Sequence, residues 1–133
     1  MKKQWSDIIK VMKFSRNKLE KKADTLLQQL VKKLYPRCEV CGNETQCGHH
    51  FIEKSKSNRL RYELINIIPV CRSCHSKIHN RFSYSLGAYD IIDFIIKKKG
   101  RKWFNKLQKL RHELVKTDED WYLTNIKNLE EKL

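Results

Sequence analysis

No apolar run in this 133-residue chain approaches the ~20 residues that a membrane-spanning helix needs. Its first residues, Met-Lys-Lys-Gln-Trp-Ser-Asp, hold no apolar secretory region and no cleavage site, so the reading is a soluble cytoplasmic protein. Acidic residues are scarce: 15 Asp and Glu stand against 29 Lys and Arg, a formal net charge of +14. With a pI near 9.7, the chain should seek polyanions, nucleic acid first and an anionic membrane surface second. Internal repeats and low-complexity segments are missing. The length allows one domain, or a small core with helical extensions.

Five cysteines cannot all pair, and four of them fall into two Cys-x-x-Cys units, Cys38/Cys41 and Cys71/Cys74. Each such turn presents two sulfurs at a separation that suits one ion, and two turns close a tetrahedral thiolate shell around zinc. A shell with no open position is structural and contributes folding energy. A redox dithiol or disulfides are the alternatives, and a reducing compartment favours the metal. Cys47 is left over, and its plain reading is a small buried apolar residue.

The pattern around the cysteines sets the organisation. Apolar residues Leu19, Ala23, Leu26, Leu27, Leu30 and Leu34 recur at steps of three and four, so residues 5–34 read as helix up to Pro36. The phase falters near residues 14–17, which leaves one helix or two. Residues 1–37 hold 11 Lys or Arg against 3 Asp or Glu and form a basic helical arm. Residues 38–82 read as a knuckle closing on Gly42, a strand over 46–52, a polar loop over 53–63, a strand over 64–70 and a helix carrying Cys74, Ile78 and Phe82 on one face. Residues 83–133 read as a helical region, with helices at 86–99, 102–116 and 118–131, the last capped by Thr117 with Asp120 three residues on. The fold class expected is α+β, mostly helical.

The interval between the cysteine pairs and the residues just after it hold four of the five histidines. On a strand, His49 and His50 point to opposite faces, so one can bind a metal while the other activates water. His75 and His79, one helical turn apart, share a face and can converge with His49 on one ion. His112 reads as a surface residue. Asn66 is either a turn residue or an amide that bridges backbone groups and ties the ends of the polar loop.

The order His49-His50, Asn66, then His75 nine residues later resembles the HNH, or His-Me finger, nuclease family. That resemblance implies a ββα-metal core braced by a structural zinc at Cys38, Cys41, Cys71 and Cys74. It also implies His50 as general base, Asn66 as the loop-orienting residue and His75 as a ligand of a catalytic ion. Many members have Asp where this chain has His49. The chain is closer there to the colicin DNases, and that likeness makes His49, His75 and His79 the ligand set. Mg²⁺ or Mn²⁺ is expected, although three imidazoles also suit other transition ions. A further likeness runs through Lys22-Ala-Asp24, Gly48-His-His-Phe, Lys54-Ser-Lys-Ser, Leu60-Arg-Tyr and Asn66-Ile-Ile-Pro-Val-Cys. It looks like the phage NinG/Rap-like recombination nucleases, which implies branched DNA as substrate and action inside a bacterial host cell.

Lys54, Lys56, Arg59 and Arg61 on the polar loop are candidates to grip phosphates. The run Lys97, Lys98, Lys99, Arg101 and Lys102 is either a second phosphate-binding patch or a solvated helix end. Resolving a four-way junction takes two nicks, so a homodimer fits, built on the apolar face of residues 19–34 unless that face packs on the zinc unit. A sequence-specific homing or restriction enzyme is one alternative. A non-catalytic zinc-finger DNA-binding module is another.

Overall fold

The computed structural model describes residues 5–79 and 87–133, with side chains described outside residues 5–15 and 87–90. Among the described residues, five helices and a two-stranded sheet follow in the order α1 (Trp5–Leu34), β1 (Cys47–His50), a 3-10 turn (Leu64–Asn66), β2 (Ile67–Val70), α2 (Arg72–His79), α3 (Gly87–Lys99), α4 (Arg101–Leu110) and α5 (Glu119–Lys132). The mostly helical α+β class expected from the sequence is what the described residues show. Contacts divide the chain into two compact units, Met1–Leu30 with Lys116–Leu133, and Val31–Val115.

In the first unit, Ala23, Leu27 and Leu30 of α1 and Tyr122, Ile126 and Leu129 of α5 are buried. Each fully buried Leu contributes about 1.5–3 kcal/mol over leaving it in water. Lys22 reaches Glu130 at 3.3 Å, and Arg16 donates to the Thr117 hydroxyl at 3.2 Å. α1 is one helix through residues 14–17, where the sequence left two possible. The cap of α5 is Asp118, which accepts from the Trp121 N–H at 3.0 Å, in place of the expected Thr117. A carboxylate is the stronger acceptor and suits the positive end of the helix dipole.

The second unit holds everything the sequence marked for chemistry between residues 38 and 79. β1 and β2 pair antiparallel with Cys47 opposite Val70, Gly48 opposite Pro69, His49 opposite Ile68 and His50 opposite Ile67. Residues directly opposite share a face, so Cys47, His49, Ile68 and Val70 look one way and Gly48, His50, Ile67 and Pro69 the other. The first face builds the core: Ile68 and Val70 join Cys38, Cys71, Cys74, Ile78 of α2 and Ile91 and Ile95 of α3 in one buried cluster. On the opposite face, a Cβ on Gly48 would lie 2.6 Å from Ile67 Cγ2 and 3.1 Å from Val31 Cγ2, so only glycine allows this approach.

Several boundaries differ from the sequence reading. β1 is shorter than 46–52, because Ile52 turns inward to the Asn66 side chain instead of continuing the ladder. Residues 64–66 form a 3-10 turn, so the second strand begins at Ile67 and not at residue 64, and Asn66 precedes it. α4 stops at Leu110, not at residue 116. A short helix holds only where it buries an apolar face, and Leu114, at 99% exposure, has nothing to cover. Phe82, expected on the α2 face, lies outside the described residues. Gly100, at φ +98, supplies the left-handed joint between α3 and α4.

Candidate metal centres and active site

The sulfur donors come from two tight turns. After Cys38, the chain reverses with the Gly42 N–H donating to the Cys38 carbonyl at 3.0 Å, and Gly42 takes φ +78. The second turn opens α2, where the Cys74 N–H points at Cys71 Sγ at 3.4 Å, the amide-to-sulfur contact that favours a thiolate. All four sulfurs lie within 4.8 Å of one another, and Cys41 and Cys71 are 3.6 Å apart. Four sulfurs placed tetrahedrally about zinc at ~2.3 Å stand roughly 3.8 Å from each other, so the cluster is compatible with zinc.

Their acidities point the same way. Burial raises Cys38, but backbone N–H groups of Cys41, Cys71 and Val40 outweigh it and bring the thiol down to about 7. Burial pushes Cys74 up, and the crowding of Cys71, Cys41 and Cys38 adds to the rise. Four thiolates together need a dication to offset their repulsion. The five cysteines are all free of disulfides.

The imidazole donors sit on the core face of the sheet. His49 on β1 is buried, and His75 and His79 lie one turn apart on α2. Ligand atoms of the three lie within 4.8 Å of one another, and the Nε2 atoms of His75 and His79 are 2.8 Å apart. Two nitrogens at right angles about an ion at ~2.1 Å are roughly 3 Å apart, so this donor set also fits a divalent ion. His75 is held below the ordinary imidazole value, first by burial and then by His79 beside it, which keeps it neutral as a ligand must be.

His50 occupies the opposite face of β1, half-buried, with Nε2 2.8 Å from the Arg61 carbonyl oxygen. With Nε2–H donated there, Nδ1 carries the lone pair. Asn66 is fully buried. Its Oδ1 accepts from the Ile52 N–H at 2.8 Å, and its Nδ2 donates to the carbonyls of Ile52 at 3.0 Å and Leu60 at 3.4 Å. One side chain thereby pins both ends of the loop between β1 and the 3-10 turn.

The nominated cations separate into engaged and outward groups. Arg59 is held by Glu63 at 2.7 Å and Glu113 at 3.0 Å. Lys98 donates to the Glu39 carbonyl at 3.1 Å, and Lys99 meets the Glu39 carboxylate at 3.3 Å, so both tie α3 to the cysteine knuckle. Arg61 sits 5.6 Å from the Tyr62 ring and Arg101 5.7 Å from that of Phe104. Lys54, Lys56, Lys97 and Lys102 are exposed.

Comparison with known proteins adds to this geometry. Residues 38–81 match the HNH endonuclease family. The matched segment takes in both donor clusters, His50 and Asn66. An alignment of 54 positions, covering 38% of this chain, is 37% identical to a mitochondrial DNA mismatch repair protein, a mutS homolog of Sarcophyton glaucum. The match spans only 6% of that protein. No solved structure matches the chain. Among the described residues, no helix is long and apolar enough to cross a membrane.

Sequence reasoning did not place Cys47 beside the imidazoles. Cys47, read as a plain apolar residue, has its Sγ 3.3 Å from His75 Nδ1 and 3.8 Å from the Val70 carbonyl oxygen. The signal was its position two residues before His49, which on a strand means the same face.

Proposed function

We propose that the chain is a metal-dependent DNA endonuclease that hydrolyses phosphodiester bonds, with branched recombination intermediates as its preferred substrates. The observation that carries the reading is the convergence of His49, His75 and His79 inside the HNH-matching segment, with His50 on the adjoining strand position.

In this reading, Cys38, Cys41, Cys71 and Cys74 hold a structural zinc, and His49, His75 and His79 hold the catalytic ion, Mg²⁺ or Mn²⁺. The bound ion supplies Lewis acidity toward the phosphate and the leaving oxygen. His50 takes a proton from the attacking water at Nδ1 while the Arg61 carbonyl fixes its ring. As the water oxygen bonds to phosphorus, the bond to the leaving oxygen breaks. Asn66 keeps the loop, and so the Arg61 carbonyl, in place.

The exposed Lys54, Lys56, Lys97 and Lys102 contact phosphates, while Arg59, Arg61, Lys98, Lys99 and Arg101 shape the basic surface around them. Phosphate contacts read backbone shape more than base sequence, which supports a structure-selective enzyme. A homodimer supplies the two nicks a four-way junction needs.

The test is a panel of linear, nicked, forked and four-way DNA incubated with Mg²⁺ or Mn²⁺, using the wild type and His50→Ala. Cleavage favouring branched DNA and lost in His50→Ala is expected. Strict sequence dependence on plain duplex would overturn the substrate preference, and wild-type cleavage by His50→Ala would overturn the base.

A further inference from the structure

His75 uses its two ring nitrogens for different neighbours. Nε2 faces His79 Nε2 in the ligand cluster, and Nδ1 faces Cys47 Sγ at 3.3 Å. The register puts Cys47 on the same sheet face as His49, two residues away and opposite Val70. The contact is therefore built by the strand and does not depend on a mobile surface side chain. Cys47 Sγ in turn lies 3.8 Å from the Val70 carbonyl oxygen, and that carbonyl also accepts from the Gln46 N–H at 3.0 Å. Val70 directly precedes the zinc-site residue Cys71.

We infer that Cys47 is a positioning residue for the catalytic ion: its sulfur accepts the His75 Nδ1–H, fixing the tautomer that leaves Nε2 to bind the ion. This rests on the reading of His49, His75 and His79 as the ion's ligands. A ligating imidazole is normally oriented by a group on its other nitrogen, most often a carboxylate or a carbonyl. Here a thiol fills that place. Its S–H is directed at the Val70 carbonyl, so a short hydrogen-bonded chain runs from the β2 backbone through Cys47 to His75. The half-buried Cys47 thiol is placed to donate to Val70 while accepting from His75. The zinc frame and the second ion would thus share one support, the strand end at Val70.

The full-length protein, loaded with one equivalent of zinc, supplies the test. Long-range ¹H–¹⁵N spectra of the wild type should show His75 protonated at Nδ1, and a spectrum showing the Nε2–H form would overturn the proposal without any variant. Titration calorimetry with Mn²⁺ should then show Cys47→Ala binding on the order of 10-fold more weakly. Cys47→Ser, whose hydroxyl can both accept and donate, should recover part of that loss. Zinc content and melting temperature should match the wild type in both variants. Wild-type Mn²⁺ affinity in a folded Cys47→Ala protein would overturn the role of Cys47 while leaving the ion site intact. Failure of the wild type itself to bind Mn²⁺ would overturn the ion site, and the role of Cys47 with it.

Discussion

The side-chain amide of Asn66 closes a two-way pair with the backbone of Ile52, accepting its N–H at 2.8 Å and donating to its carbonyl at 3.0 Å. Both groups sit where the chain leaves β1, two residues after His50. In Asn66→Ala, the buried Ile52 N–H and C=O lose their partner, and each unsatisfied group costs about 1–3 kcal/mol. We expect a loss of roughly 2–4 kcal/mol in urea unfolding. DNA cleavage under folded conditions should fall further than Mn²⁺ affinity does, because the pair holds the loop that orients His50 and touches no ligand of the ion.

Gly48→Ala tests the close approach on the other sheet face. The added Cβ would meet Ile67 Cγ2 at 2.6 Å and both Val31 methyls at 3.1 and 3.3 Å. Overpacking of this kind costs about 1–3 kcal/mol, measured as a lower urea midpoint. Combining it with Ile67→Leu, which removes the β-branch, should return part of the loss. Strict additivity of the two changes would argue against the clash.

Zinc removal should unmake the proposed active site. Cys74 and His75 are consecutive on α2, and the His75 N–H bonds to the Cys71 carbonyl at 2.9 Å. Structural zinc contributes roughly 10–16 kcal/mol of apparent binding free energy, as large as the whole stability of an ordinary domain. Chelation, or Cys71→Ser, should therefore lower helicity by circular dichroism, expose residues 38–79 to protease and abolish Mn²⁺ binding. An unchanged melting curve after complete chelation would contradict a structural role.

Acid should weaken the ion-free fold through His75. Its folded value lies below the ordinary 6.5, chiefly because it is buried. Below that pH the unfolded chain binds a proton that the folded protein resists, so stability rises with pH across this window. The contribution is fully present above about 6.5 and is lost as the pH falls toward the depressed folded value. Urea midpoints at pH 7 should exceed those at pH 5, and His75→Gln should flatten the difference. Mn²⁺ affinity should fall over the same range, since protons compete for the ligand nitrogens.

Much of this was written in the chain itself. Cys-x-x-Cys spacing presents paired sulfurs wherever the two turns meet, and the i,i+4 spacing puts His75 and His79 on one helix face whatever the helix packs against. Adjacency alone sends His49 and His50 to opposite sides of a strand. These are local, covalent facts, so the sequence determined them.

Which groups those side chains meet was decided only in three dimensions. The pairing register brings Cys47 opposite Val70 and beside His75, and no spacing rule carries that contact. The loss of helix after Leu110 follows from what is available to cover Leu114, and the engagement of Arg59 by Glu63 and Glu113 depends on a carboxylate 54 residues away. The sequence by itself determined which donors this protein offers. Tertiary structure decided which donor faces which, because long-range contacts depend on strand register and on competition for burial, and neither is encoded in any single segment.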